Sequence, residues 1–242
     1  SCESDFDDAT PSWYAPTSIS ELNTIVASLL SSATPYALEL GGTSRGVSKY
    51  YDGAVAGTSQ GETLPSAYVS LFRVQDLHTI DVDASSKTIK VGAAVTITDL
   101  IATLESTGDA MHAQLSRHLS RVANLQVRNV GGWAGNLCLA KRYPTFPSDL
   151  LTTLSASGAS LTVQKWTTAG ATLENLTVPC WSLDVPPPST SETLLYLMIP
   201  SSPAISSTTF TFTSYKIARR QQNSHPIVNF AAQLHVSSEK IV

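Results

Sequence analysis

The chain has 242 residues, 42% of them hydrophobic, which is enough to build one large packed domain or two small ones. Its formal net charge is −4, charged residues make up only 14%, and no basic tract or aromatic–basic interleaving occurs, so a nucleic-acid partner is excluded. No apolar run approaches the roughly 18 residues of a membrane span. Three widely spaced cysteines (Cys2, Cys138, Cys180) form neither a disulfide framework nor a zinc pattern, which points to a reducing, intracellular setting, the cytoplasm.

In chain order, the acidic start SCESDFDDAT lacks the apolar stretch of a signal peptide. Ser18 and Glu21 in SISELNTIVASLLSS have capping-box spacing, and Leu22, Ile25, Val26 and Leu29 share one face, so an amphipathic helix is predicted. YALELGG reads as a strand running into Gly41-Gly42-Thr43, and residues 50–65, rich in Gly and Ser, read as a loop. AYVSLFRV, HTIDVD and TIKVGAAV read as strands, the last two joined by a polar turn. Thr96 and Asp99 predict a second capped helix with Leu100, Ile101 and Leu104 behind it. A third helix is predicted from Met111 to about Val122 on the stripe Met111, Leu115, Leu119, Val122. Leu150–Leu154 reads as a short helix and ASLTVQKW as a strand. DVPPPSTSE is a loop, because three prolines cannot join a ladder. TLLYLMIP reads as a buried strand, and FTFTSYKIARR with PIVNFAAQLHV as a hairpin around QQNSH. Interleaved strands and helices without a repeat give an α+β class.

The chemistry concentrates in two glycine-rich turns, Gly41-Gly42-Thr43-Ser44-Arg45-Gly46 and Gly131-Gly132-Trp133-Ala134-Gly135-Asn136. Glycines let backbone N–H groups converge on an anion, so two such turns can clamp one pyrophosphate. Thr43, Ser44 and Ser148 add hydroxyls, Arg45 adds charge, Asn136 donates or accepts, and Asp149 can accept from a sugar hydroxyl. Each turn alone reads more readily as a plain turn than as a binding site. Neither is a P-loop, and neither is a G-x-G-x-x-G after a strand. No nucleophile elbow or metal-ligand set is present, so no catalytic residue and no metal are assigned. His112 and His118, six apart, read as surface or core histidines, and Cys138 as a small buried hydrophobe. Lys216, Arg219 and Arg220 read either as a solvated strand end or as a basic patch beside a phosphate or flavin.

Seven stretches in order (WYAPTSISEL, LELGGTSRGV, LHTIDVD, IKVGAAVTITDL, VRNVGGWAGNL, FPSDLLTTL and YKIARRQQNSHPIVNFAAQL) resemble the flavin-binding region of molybdenum hydroxylases. That family includes xanthine dehydrogenase, aldehyde oxidase and the carbon monoxide dehydrogenase medium subunit. FPSD after AKRYPT looks most like plant-type aldehyde oxidases. The resemblance implies a two-lobed α+β FAD fold of the vanillyl-alcohol-oxidase type. Residues 1–57 would form the first lobe and 58–205 the second, with 206–242 an incomplete start of the C-terminal flavoprotein domain. It implies that Leu38, Leu40, Gly41, Gly42, Thr43, Ser44 and Arg45 wrap the FAD pyrophosphate from one lobe, and that Gly131, Gly132, Gly135 and Asn136 meet it from the other. Ser148 and Asp149 match residues that contact FAD, Leu195 an apolar residue near the flavin, and Lys216 a lysine at its polar edge.

The implied chemistry is electron transfer from iron–sulfur clusters through FAD to NAD or oxygen. The iron–sulfur and molybdenum centres would lie on partner domains or subunits. Several positions depart from the family pattern. Ala134 replaces a glycine, so its Cβ is expected to push on the pyrophosphate, and Trp133 is bulkier than the usual aliphatic residue. Val122 stands where xanthine dehydrogenases stack an aromatic ring, a loss on the order of 1–3 kcal/mol, and Ser44 stands where an acidic residue is common. These departures define an alternative, a flavin-free relative acting as a structural or assembly subunit of a larger complex. The terminal hairpin is expected to need a partner for Leu234, Val236 and Ile241.

Overall fold

Capping sets the first unit. In the computed structural model, which describes residues 10–44, 65–143, 145–168, 172–180, 192–203 and 208–237, the Ser18 side chain accepts from the Glu21 backbone N–H at 3.2 Å. Helix α1 (Ile19–Ser31) follows and buries Leu22, Val26 and Leu29. It lies between β1 (Ser12–Tyr14) and β2 (Tyr36–Glu39), which join β3 (Ala67–Ser70) in a parallel sheet of order β1-β3-β2. β3 lies beyond the boundary expected at residue 57 yet forms the centre of this first sheet. Its Ala67 and Val69 are fully buried, as a central strand covered on its core face requires.

The second sheet is antiparallel, in the order β4-β5-β8-β6-β7. Its strands are β4 (Ile80–Val82), β5 (Ile89–Gly92), β6 (Ser160–Thr168), β7 (Thr172–Pro179) and β8 (Glu192–Ile199). The apolar run read as a buried strand is β8, and it sits in the middle. Five helices intervene in sequence between β5 and β6: α2 (Ile97–Ser106), α3 (Ala110–Leu119), α4 (Leu125–Arg128), α5 (Trp133–Arg142) and α6 (Asp149–Ala156). Thr96 caps α2 by accepting from Asp99 N, as the spacing predicts. α3 ends at Leu119, one turn short of the expected Val122, because the chain turns there through Ala123 at φ +48°. The hairpin of β9 (Thr208–Ala218) and β10 (Pro226–Ser237) lays one face on α3 and α6 and pairs Lys216 with Asn229. Its other face exposes Tyr215, Ile217, Val228, Phe230, Leu234 and Val236. Ile241, residues 50–64 and residues 184–191 of DVPPPSTSE lie outside the described residues.

One difference bears on the site. The second glycine cluster leads straight into a helix, α5, rather than forming a turn alone. Three glycines and an asparagine carry low helix propensity. Trp133, Leu137 and Ala140 recur at helical spacing and are buried, and that packing overrides the propensity.

Candidate functional site

The two glycine turns interlock. Gly41 and Gly42 adopt left-handed backbone angles, φ +70° and +57°, that suit glycine. A Cβ on Gly41 would collide with the Val130 carbonyl; one on Gly131 would stand 3.0 Å from Thr43 Oγ1, and one on Gly132 2.6 Å from Leu40 Cδ2. Each turn therefore admits the other only because side chains are missing. Gly132 bridges to Thr96 at the start of α2, and Gly131 O accepts from Ile97 N at 3.0 Å. Leu38 and Leu40 pack against the core, and Thr43 and Ser44 are half-buried. Arg45 lies outside the described residues.

Gly132 is the N-cap of α5 and offers no side chain to its first N–H groups. Those donors need another acceptor, and the helix dipole favours an anion there. Trp133 and Ala134 do not crowd this end, contrary to expectation. Trp133 is fully buried and donates from Nε1 to Gly92 O at 2.8 Å, and Ala134 is buried in the core. The residue that turns outward is Gly135, where an added Cβ would meet nothing within 4 Å. Leu195 is buried on β8; its carbonyl accepts from Ala93 N at 2.8 Å, and Ala93 in turn lies against Gly132.

A second cluster is built on the N-cap and first residue of α6. Ser148 caps the helix by accepting from Leu151 N at 3.0 Å and donates to Asn136 Oδ1, which ties it to the first turns of α5. Its carbonyl accepts from Asn229 Nδ2 at 3.2 Å. Asn229 Oδ1 is buried without a hydrogen-bond partner among the described residues. Asp149 accepts from Lys216 Nζ at 2.8 Å through Oδ2 and from His118 Nε2 at 3.1 Å through Oδ1. Lys216 also donates to Arg121 O at 3.1 Å. Lys216 is thus a buried, paired cation, whereas Arg219 and Arg220 are exposed. The hairpin tip closes over the end of α3, with Asn223 N donating to Ala123 O at 2.7 Å. A shallow pocket there is lined by Arg121, Lys216, Ala218, Arg220 and Gln221.

The expected residues therefore assemble in two groups: Leu40 to Thr43 with Gly131 and Gly132, and Asn136 with Ser148, Asp149 and Lys216. His118 is a buried histidine satisfied by Asp149, one of the two readings its spacing left open, but its place beside the expected residues was missed, as was that of Asn229. For His118 a signal existed, since it lies three residues after Leu115 on the buried side of α3. His112 is a core histidine, with Nε2 2.8 Å from Pro200 O. Cys138 is half-buried against the core rather than fully buried, and desolvation pushes its thiol up to about 11.

The family described as "FAD binding domain in molybdopterin dehydrogenase" matches residues 5–177. "Probable aldehyde oxidase 4" of Oryza sativa subsp. japonica is 32% identical over 253 residues, covering 98% of this chain and 28% of that protein. "Abscisic-aldehyde oxidase" of Arabidopsis thaliana is 30% identical over 233 residues, covering 94% and 16%. The chain spans less than a third of the length of these curated relatives. The fold is shared with CO dehydrogenase from Oligotropha carboxidovorans, at TM-score 0.68 and 18% identity over 96% of this chain and 72% of that one. It is shared also with quinoline 2-oxidoreductase from Pseudomonas putida 86, at TM-score 0.65 and 21% identity over 96% and 71%. No helix among the described residues is long and apolar enough to cross a membrane.

Proposed function

Because this chain belongs to the FAD-binding domains of molybdopterin dehydrogenases, we propose that it holds FAD with the diphosphate between the Gly41–Gly42 turn and the start of α5. The observation that carries this reading is the interlock of the two turns beside an uncapped helix end that opens at Gly135. The donor set fits a diphosphate: uncapped backbone N–H groups and the hydroxyls of Thr43 and Ser44. Asn136 and Ser148 support the same end. The Asp149–Lys216 pair and Leu195 border the flavin ring. When bound, FAD supplies one- and two-electron transfer.

The chain's own share is to seat the diphosphate and to hold the Lys216 ammonium, paired with Asp149, at the ring's edge. Its partners are iron–sulfur and molybdenum-cofactor domains or subunits, with electrons passed on to NAD or oxygen, in an intracellular compartment. On this reading β1–β3 form the first lobe and β4–β8 with α2–α6 the second, with the β9–β10 hairpin packed on α3 and α6. The alternative, a flavin-free relative, rests on Val122 in place of a stacking ring, on the low charge and on the bulk of Trp133 and Ala134. Their burial leaves the cradle open and favours a flavin-holding one.

The test is an absorption spectrum of the natively purified protein, alone and after incubation with FAD. Visible flavin absorption bands that survive gel filtration in the wild type, and not in Gly135→Val, support the reading. A colourless protein that takes up no FAD refutes it.

A further inference from the structure

His118, Asp149 and Lys216 lie on three different elements, α3, α6 and β9, and their side chains are 2%, 7% and 2% exposed. Taking a carboxylate and an ammonium out of water is costly unless hydrogen bonds satisfy the atoms the pair leaves over. Lys216 satisfies only Asp149 Oδ2; His118 supplies the donor for Oδ1. Held at one oxygen, a carboxylate rotates freely about χ2, a soft sp³–sp² torsion. Held at both, it has one orientation. The imidazole that does this carries its proton on Nε2.

Lys216 is in turn fixed by Asp149 on one side and the Arg121 carbonyl on the other. This places the ammonium where the hairpin meets α3 and α6. We propose that His118 is a positioning residue: through Asp149 it holds the Lys216 ammonium in place beside the flavin ring. The flavin part rests on the reading above, whereas the coupling from His118 to Lys216 stands without it.

The test uses the full chain with three substitutions. His118→Gln keeps an amide donor that reaches Asp149. His118→Leu removes the donor. His118→Asn keeps an amide that falls short, and replaces the leucine variant should that one not fold. In 15N-labelled, flavin-free protein, a slowly exchanging Lys216 ammonium signal is expected in the wild type and in His118→Gln, and its loss is expected in His118→Leu or His118→Asn. An ammonium signal that persists in the donor-less variants overturns the proposal, whatever the protein does with flavin.

With FAD, the donor-less variants are expected to bind about tenfold more weakly, the scale of one charge-assisted hydrogen bond. Combined with Lys216→Met they are expected to add nothing further, because a positioning residue acts only through the group it positions. Additive losses, or no rescue by His118→Gln, overturn the proposal. A wild type that binds no FAD defeats the earlier reading of the site and leaves the ammonium signal to decide the role of His118.

Discussion

Gly135→Ala is expected to stabilise the free protein and to weaken its hold on FAD. Gly135 is the third residue of α5, and an added Cβ there meets nothing within 4 Å. No steric cost opposes the change, so alanine contributes its ordinary helical advantage of about 0.5–1 kcal/mol. In a protein of this size that corresponds to a rise of about 1–4 °C in melting temperature. The same methyl group fills the space through which a diphosphate approaches the N–H groups of α5. Losing one charge-assisted hydrogen bond there removes about 1.5–3 kcal/mol, at least roughly tenfold in affinity. Scanning calorimetry of flavin-free protein gives the first quantity, and a fluorescence titration with FAD gives the second. A lower melting temperature would refute the open space at Gly135. A higher one with unchanged FAD affinity would refute the placement of the diphosphate.

Other changes read other parts of the account. Gly41→Ala is expected to lower stability by about 2 kcal/mol or more, from a left-handed angle that costs an L-residue roughly 1–2 kcal/mol and from the collision with the Val130 carbonyl; an unchanged urea midpoint would contradict the interlock. Burial, and then the Lys216 ammonium, hold the His225 imidazole below its usual 6.5, with Asp149 pulling the other way. The unfolded chain then binds the proton more readily, so this contribution to stability is present above pH 6.5 and is lost as pH falls through it. The melting temperature should drop between about pH 7.5 and 5.5, and His225→Gln should flatten that slope. Cys180, buried and with its thiol pushed up to about 11, should resist alkylation in the native state at about pH 8 and react once unfolded; peptide mapping that finds it modified in the folded protein would contradict its burial.

Local signals were legible where the physics is local. Ser18 with Glu21 and Thr96 with Asp99 are capping pairs three residues apart, and both caps form. The alternation from Phe210 to Ala218 and from Pro226 to Val236 marks the hairpin correctly. The glycines declared both turns, because only an unusual backbone demand concentrates glycine so tightly. α5 was hidden by those same glycines, since their low propensity masked the spacing of Trp133, Leu137 and Ala140. The inward packing of Trp133 and Ala134, and the outward aspect of Gly135, depend on which way that helix rolls. Strand order was equally out of reach: β8 inserts between β5 and β6, and β3 between β1 and β2, through pairings that local sequence does not encode. The contact of His118 with Asp149 and of Asp149 with Lys216 spans 31 and 67 residues, and no spacing rule links them.

The most direct test of the central claim, that the interlocked turns hold a diphosphate, is a paired titration of the flavin-free chain with FAD and with riboflavin, which carries the same ring and no phosphate. FAD is expected to bind at least about a hundredfold more tightly, the scale of two charge-assisted hydrogen bonds to the diphosphate. Equal affinities, or no binding of FAD at all, would contradict it.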